Sequence, residues 1–213
     1  MTTRVKICGI TTAVDLSVAI RAGADAIGVI ADIPVDSPRT VSPEKATELI
    51  ASVPPFVSSV LVTMPETTDT ALALYDRVQP DVMQLHGDVP ESVLTTVSAH
   101  TTLIRAVAVT DRDAIDVAQD YADALLIDSL DASGAGGTGE THDWERTKQL
   151  VDTVDIPVIL AGGLTPDNVR AAIETVRPFA VDVASGVEHG DGKDHTKVRQ
   201  FIKTVQATQK MEI

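Results

Sequence analysis

Eight short apolar runs alternate with eight helix-patterned segments along 213 residues, and this alternation predicts a closed (β/α)8 barrel, the TIM-barrel form of an α/β protein. The runs are nearly continuous in Val, Ile and Leu, as strands covered on both faces are, which points to a parallel sheet. The length suits one large domain, slightly below the ~250 residues usual for such a barrel. An open doubly wound sheet is the alternative, but the first strand–helix turn lacks a Gly-x-Gly-x-x-Gly fingerprint. A single domain over 1–213 is expected, without linker or low-complexity tract and with a tail that frays after about residue 208.

The first strand is expected over 5–9, ahead of a helix over 12–21. The run 26–31 is the second strand, and Ser42-Pro43 then opens a helix over 43–52, with a capping hydroxyl ahead of a proline at the first helical position. Strands over 58–62, 82–85 and 103–109 precede helices over 68–78, 90–99 and 112–121, the second of these entered through the break Asp88-Val89-Pro90. The run 124–127 leads to a helix over 143–151. The run 157–161 leads through Thr165-Pro166 to a helix over 166–176, and the run 179–183 to a last helix over 195–208.

Acidic residues outnumber Lys and Arg by 31 to 17, a net charge of −14. That balance speaks against nucleic acid and against anionic lipid, both of which are bound through clustered basic residues. Scarce aromatics with abundant Asp, Thr, Val and Ala resemble haloarchaeal composition, in which salt screens a strongly negative surface. No apolar run approaches the ~18 residues of a membrane span, and the N-terminus lacks a signal-peptide core. With one cysteine, the expected compartment is a reducing cytoplasm.

That cysteine, Cys8 in Lys6-Ile7-Cys8-Gly9-Ile10, ends the first strand. It is either a small buried hydrophobe or a reactive thiolate, which requires a positive neighbour. Lys6, two residues earlier, faces the same side of the strand. Polar residues recur at the other strand ends, where barrel active sites lie: Arg39, Gln84, His86, Arg105, Asp128 and Asp182. Taken singly, each has a plain explanation as a rim histidine, a solvated arginine or a paired buried charge. Glycine loops follow the last three strands, 134–139, Gly162-Gly163 and Ser185-Gly186, and such loops let backbone N–H groups converge on a phosphate. No Walker lysine and no His/Cys/carboxylate spacing appear, so neither cofactor nor metal is expected. Because Asp182 alternates with Val181 and Val183, and the first and last strands of a barrel are neighbours, Lys6 and Asp182 are expected to pair beneath Cys8.

Together, Lys6-Ile7-Cys8-Gly9-Ile10, Ser37-Pro38-Arg39, Gln84-Leu85-His86-Gly87, Ile127-Asp128-Ser129, Gly136-Gly137-Thr138-Gly139 with Asp143-Trp144, Leu160-Ala161-Gly162-Gly163-Leu164 and 181–188 resemble the phosphoribosylanthranilate isomerase family. The resemblance covers nearly the whole chain, in order. It implies an Amadori rearrangement in tryptophan biosynthesis, with Cys8 as general base and Asp128 as general acid. It further implies that Arg39 meets the anthranilate carboxylate, that Gln84, His86, Arg105 and Asp182 surround the substrate, and that Gly137, Gly162, Gly163, Ser185 and Gly186 hold its phosphate. The partner would be a small phosphorylated molecule, and the protein a monomer or homodimer. Glu140 stands where the family commonly has a lysine, and Gly28-Val29-Ile30-Ala31 replaces a more aromatic run. A related sugar-phosphate barrel of the histidine or tryptophan pathways, or a non-catalytic phosphate-binding barrel, are the alternatives.

Overall fold

The structure is a computed structural model that describes residues 2–128, 143–190 and 192–209. Eight parallel strands close on themselves: β1 (Arg4–Ile7), β2 (Ala26–Ala31), β4 (Ser58–Thr63), β5 (Val82–Leu85), β6 (Thr102–Ala108), β7 (Ala124–Asp128), β8 (Val158–Leu160) and β9 (Ala180–Val183). Closure is made by β1, which pairs with β9 on one side and β2 on the other. A two-residue strand, β3 (Thr40–Val41), adds a parallel pairing with the end of β2. The outer layer consists of α1 (Ala13–Ala22), α2 (Pro43–Ile50), α3 (Thr68–Val78), α4 (Glu91–Ser98), α5 (Arg112–Tyr121), α6 (Trp144–Val151), α7 (Val169–Val176) and α8 (His195–Gln209). The (β/α)8 expectation is thus met.

The local rules account for most boundaries. Ser42 accepts from the Lys45 N–H with Pro43 in the first turn of α2, as anticipated. Thr12 caps α1 in the same way, through the Asp15 N–H. The helix after β8 differs from expectation, beginning at Val169 rather than Pro166. The intervening turn is held by Asn168, whose side chain donates to Gly163 O at 2.9 Å and accepts from the Thr165 N–H at 2.7 Å. Those bonds tie the turn to the loop after β8 instead of starting a helix. The chain after β9 forms a 3-10 turn, Ser185–Val187, and a small antiparallel hairpin of β10 (Glu188–His189) and β11 (Gly192–Lys193).

Side-chain alternation sorts each strand into two faces. Ile7, Ile27, Leu61, Met83, Leu103 and Val181 join the core between sheet and helices. Ile104, Ala106, Ala124, Leu126, Ile159 and Ala180 fill the lower barrel, and Cys8, Val60 and Val62 lie nearer its C-terminal mouth. Lys6 and Asp182, only 3% and 8% exposed, therefore lie inside the barrel. Among the described residues, no helix is long and apolar enough to cross a membrane.

Candidate active site

The C-terminal mouth holds one cavity lined by Cys8, Gln84, His86, Asp128 and Asp182, together with Gly162, Gly163, Ser185 and Gly186. Nine of the residues singled out in the sequence thus line one cavity. Other hollows open at the opposite end, around Thr3, Pro178 and Phe179, where no comparable acid–base set converges.

Cys8 prolongs the β1 ladder, its N–H donating to Val183 O at 2.9 Å. The thiol is only 5% exposed and packs against Val60 and Val62 while still lining the cavity. Burial pushes its pKa up; Lys6 opposes this, Asp182 reinforces it and Lys193 opposes it again. Lys6 Nζ lies 3.0 Å from Asp182 Oδ2, and the two residues are register partners of β1 and β9. Burial would discharge the lysine, but the Asp182 carboxylate and Cys8 outweigh it and leave its pKa raised. The pair beneath Cys8 is as expected. Room for it comes from Gly28 on β2, where an added Cβ would sit 2.7 Å from the Cys8 sulfur and 3.1 Å from Lys6 Cε.

Asp128 ends β7, three strands from β1 around the barrel, and shares the inward face of Ala124 and Leu126. Gln84 and His86 flank the end of β5, with the Gln84 amide nitrogen 2.5 Å from His86 Nε2. In that orientation the amide donates to a neutral ring carrying its proton on Nδ1. Burial, with Lys6 and Arg105 adding to it, pushes the His86 pKa down to about 3.

The glycine loops frame the other wall. Gly162 and Gly163 both have left-handed backbones, φ +81° and +63°, a conformation that glycine adopts without steric cost. Gly186 packs so tightly on the neighbouring loop that a Cβ there would lie 1.8 Å from Leu164 O. Gly137 and Glu140 lie outside the described residues.

Two arginines sit elsewhere than on this wall. Arg105 shares the face of Leu103 and Val107, which pack outward, and not that of Ile104 and Ala106. Its guanidinium donates to Leu85 O at 2.9 Å and Gly87 O at 2.5 Å, bracing the end of β5. Burial lowers its pKa to about 10 against the pull of Asp88 and Asp111, so it stays charged at neutrality. This corrects the expectation of a substrate contact: the residue supports the strand that carries Gln84 and His86. Arg39 lies beside the cavity, its stem against Gly9, where a Cβ would be 2.8 Å from Arg39 Cδ. Its guanidinium engages Glu188 through two nitrogens, with Nε–Oε1 at 2.9 Å and Nη2–Oε2 at 2.8 Å. Glu188 and Lys193 escaped the sequence reading because both lie in an irregular hairpin without periodicity.

Fold and site together define the class: a (β/α)8-barrel enzyme whose acid–base side chains stand at the C-terminal ends of its strands. Within that class, the chain belongs to the N-(5'-phosphoribosyl)anthranilate isomerase family. The family described as N-(5'phosphoribosyl)anthranilate (PRA) isomerase matches residues 5–204. A protein named N-(5'-phosphoribosyl)anthranilate isomerase from Halobacterium salinarum is 55% identical over 212 residues, 97% of either chain. Its counterpart from Haloarcula marismortui is 53% identical over 203 residues, 94% of this chain and 95% of the relative. The crystal structure of phosphoribosyl anthranilate isomerase from Thermotoga maritima superposes with a TM-score of 0.84 at 38% identity, over 96% of this chain and 99% of that one. Another crystal structure, of such an isomerase in complex with reduced 1-(o-carboxyphenylamino)-1-deoxyribulose 5-phosphate, gives 0.81 at 37% identity, with the same coverage.

Proposed function

We infer that this chain isomerises N-(5'-phosphoribosyl)anthranilate to 1-(2-carboxyphenylamino)-1-deoxyribulose 5-phosphate, the Amadori step of tryptophan biosynthesis. The observation that carries this reading is the shared cavity of Cys8 and Asp128, with the glycine loops between them. The phosphate sits against the Gly162-Gly163 strap and the Ser185-Gly186 turn, and the anthranilate carboxylate faces Arg39, its natural bidentate partner. Asp128 gives a proton to the ribose ring oxygen as the C1–O bond breaks, and the aminal becomes a protonated Schiff base. The Cys8 thiolate takes the C2 proton, and that electron pair quenches the iminium to an enol-amine. Tautomerisation of this enol yields the 1-amino-2-ketose. Lys6 favours the thiolate that the proton abstraction requires.

The enzyme works on a small phosphorylated molecule in the cytoplasm, as monomer or homodimer, with no part for nucleic acid, membrane, metal or cofactor. The test follows the fluorescence of phosphoribosylanthranilate. Cys8→Ser and Asp128→Asn should each lose about 10²–10⁴-fold in kcat while still binding a phosphorylated product analogue. Full turnover in both variants would overturn the assignment, and turnover of the histidine-pathway aminal alone would favour the related barrel.

A further inference from the structure

Three cations converge on Glu188 at the edge of the mouth. Arg39 donates from Nε to Oε1 at 2.9 Å and to Oε2 at 3.2 Å, and from Nη2 to Oε2 at 2.8 Å. Lys193, the register partner of Glu188 across the hairpin, places Nζ 2.5 Å from Oε1 and also donates to Ala184 O at 3.2 Å. Its side chain is 2% exposed, so Glu188 is anchored from below by a buried ammonium. Lys197 Nζ donates to the Glu188 carbonyl at 2.9 Å and fixes the backbone of the same residue.

A guanidinium has two forked edges: Nε with Nη2, and Nη1 with Nη2. Glu188 takes the first edge. Among the described residues, Arg39 Nη1 makes no hydrogen bond, which leaves the second edge open. The Arg39 stem is confined by the close contact with Gly9, next in the chain to Cys8. Arg39 and Lys193 share one carboxylate between two positive charges, so the cluster retains an affinity for one more anion. We propose that Glu188, anchored by Lys193, is a positioning residue that holds Arg39 by one edge and leaves the other for the carboxylate on the aromatic ring of the substrate. The hairpin thereby sets the preference for an ortho-carboxylated N-aryl ribosylamine phosphate over one without that group. This rests on the assignment of Arg39 to the anthranilate carboxylate made above.

The test compares kcat/KM for N-(5'-phosphoribosyl)anthranilate and for the analogue built on aniline. The wild-type enzyme should prefer the carboxylated substrate, and Glu188→Gln should cut that preference roughly tenfold, mainly through KM. Lys193→Met should move the ratio the same way, and it replaces the first variant if Glu188→Gln does not fold. Arg39→Met should abolish the preference, and Glu188→Gln should add nothing on that background. Equal losses on both substrates in the Glu188 variant would reduce Glu188 to a structural brace. A gain on the carboxylated substrate would make it a competitor for Arg39. Either result overturns the proposal while leaving Arg39 in its role; an unchanged preference in Arg39→Met removes the underlying assignment as well.

Discussion

Lys6 and Asp182 meet inside the barrel, 3.0 Å apart, on neighbouring strands and directly below the sulfur of Cys8. Their charges act on the thiol in opposite directions: the lysine lowers its pKa and the aspartate raises it. With Cys8 as the base, kcat/KM rises with pH through the thiol pKa. Lys6→Met should displace that limb to higher pH, and Asp182→Asn to lower pH. A pH–rate profile checks both, and a limb unmoved by either change would remove Cys8 as the titrating group. Each single change should also cost about 3–5 kcal/mol of stability, because it leaves a buried charge without its counter-ion.

Gly186 offers a test of the phosphate wall. An alanine there would drive its methyl into the carbonyl of Leu164, forcing the turn after β9 away from the loop after β8. Gly186→Ala should raise both KM and the inhibition constant of inorganic phosphate by about tenfold or more, with a stability cost of about 1–3 kcal/mol. Competitive inhibition assays and thermal unfolding read the two effects separately.

His86 links acid stability to the site. Its pKa is about 3 in the fold against an ordinary value near 6.5. A group held neutral in this way contributes stability that is complete above pH 6.5 and is lost as pH falls toward the folded pKa. Between about pH 6 and 4, unfolding should take up one extra proton, a slope of about 1.4 kcal/mol per pH unit. His86→Gln should reduce the slope of unfolding free energy against pH across that interval by this amount. Chemical denaturation at several pH values measures it.

Much of this architecture is written in local chemistry. The apolar runs mark all eight barrel strands, and residues of inward parity at their ends, such as Cys8, Gln84, Asp128 and Asp182, line the cavity at the mouth. Arg105 shows the limit of reading strand ends without parity. Leu103 and Val107 on the same face are large and aliphatic, and that signal alone would have turned the arginine outward. The Asn168 turn was misjudged because Thr165-Pro166 reads as a helix start, while the competing bonds to Gly163 and Thr165 depend on a loop brought close only by the fold. Glu188 and Lys193 carry no periodic signal. Their meeting depends on a hairpin turning through Gly190, and the meeting of Glu188 with Arg39 on a sequence separation of 149 residues.

The hydrogen on the α-carbon of Gly28 points into space claimed by the Cys8 sulfur and the Lys6 stem. Positions 8 and 28 therefore divide a single volume, and a side chain at 28 can enter only after position 8 has given way. A methyl group on the second strand requires the first to surrender its sulfur and the Lys6 stem and strand backbone to yield a few tenths of an ångström, and by then the proton acceptor has gone. Descendants of this barrel that carry a side chain at position 28 are expected to have lost the thiol at position 8.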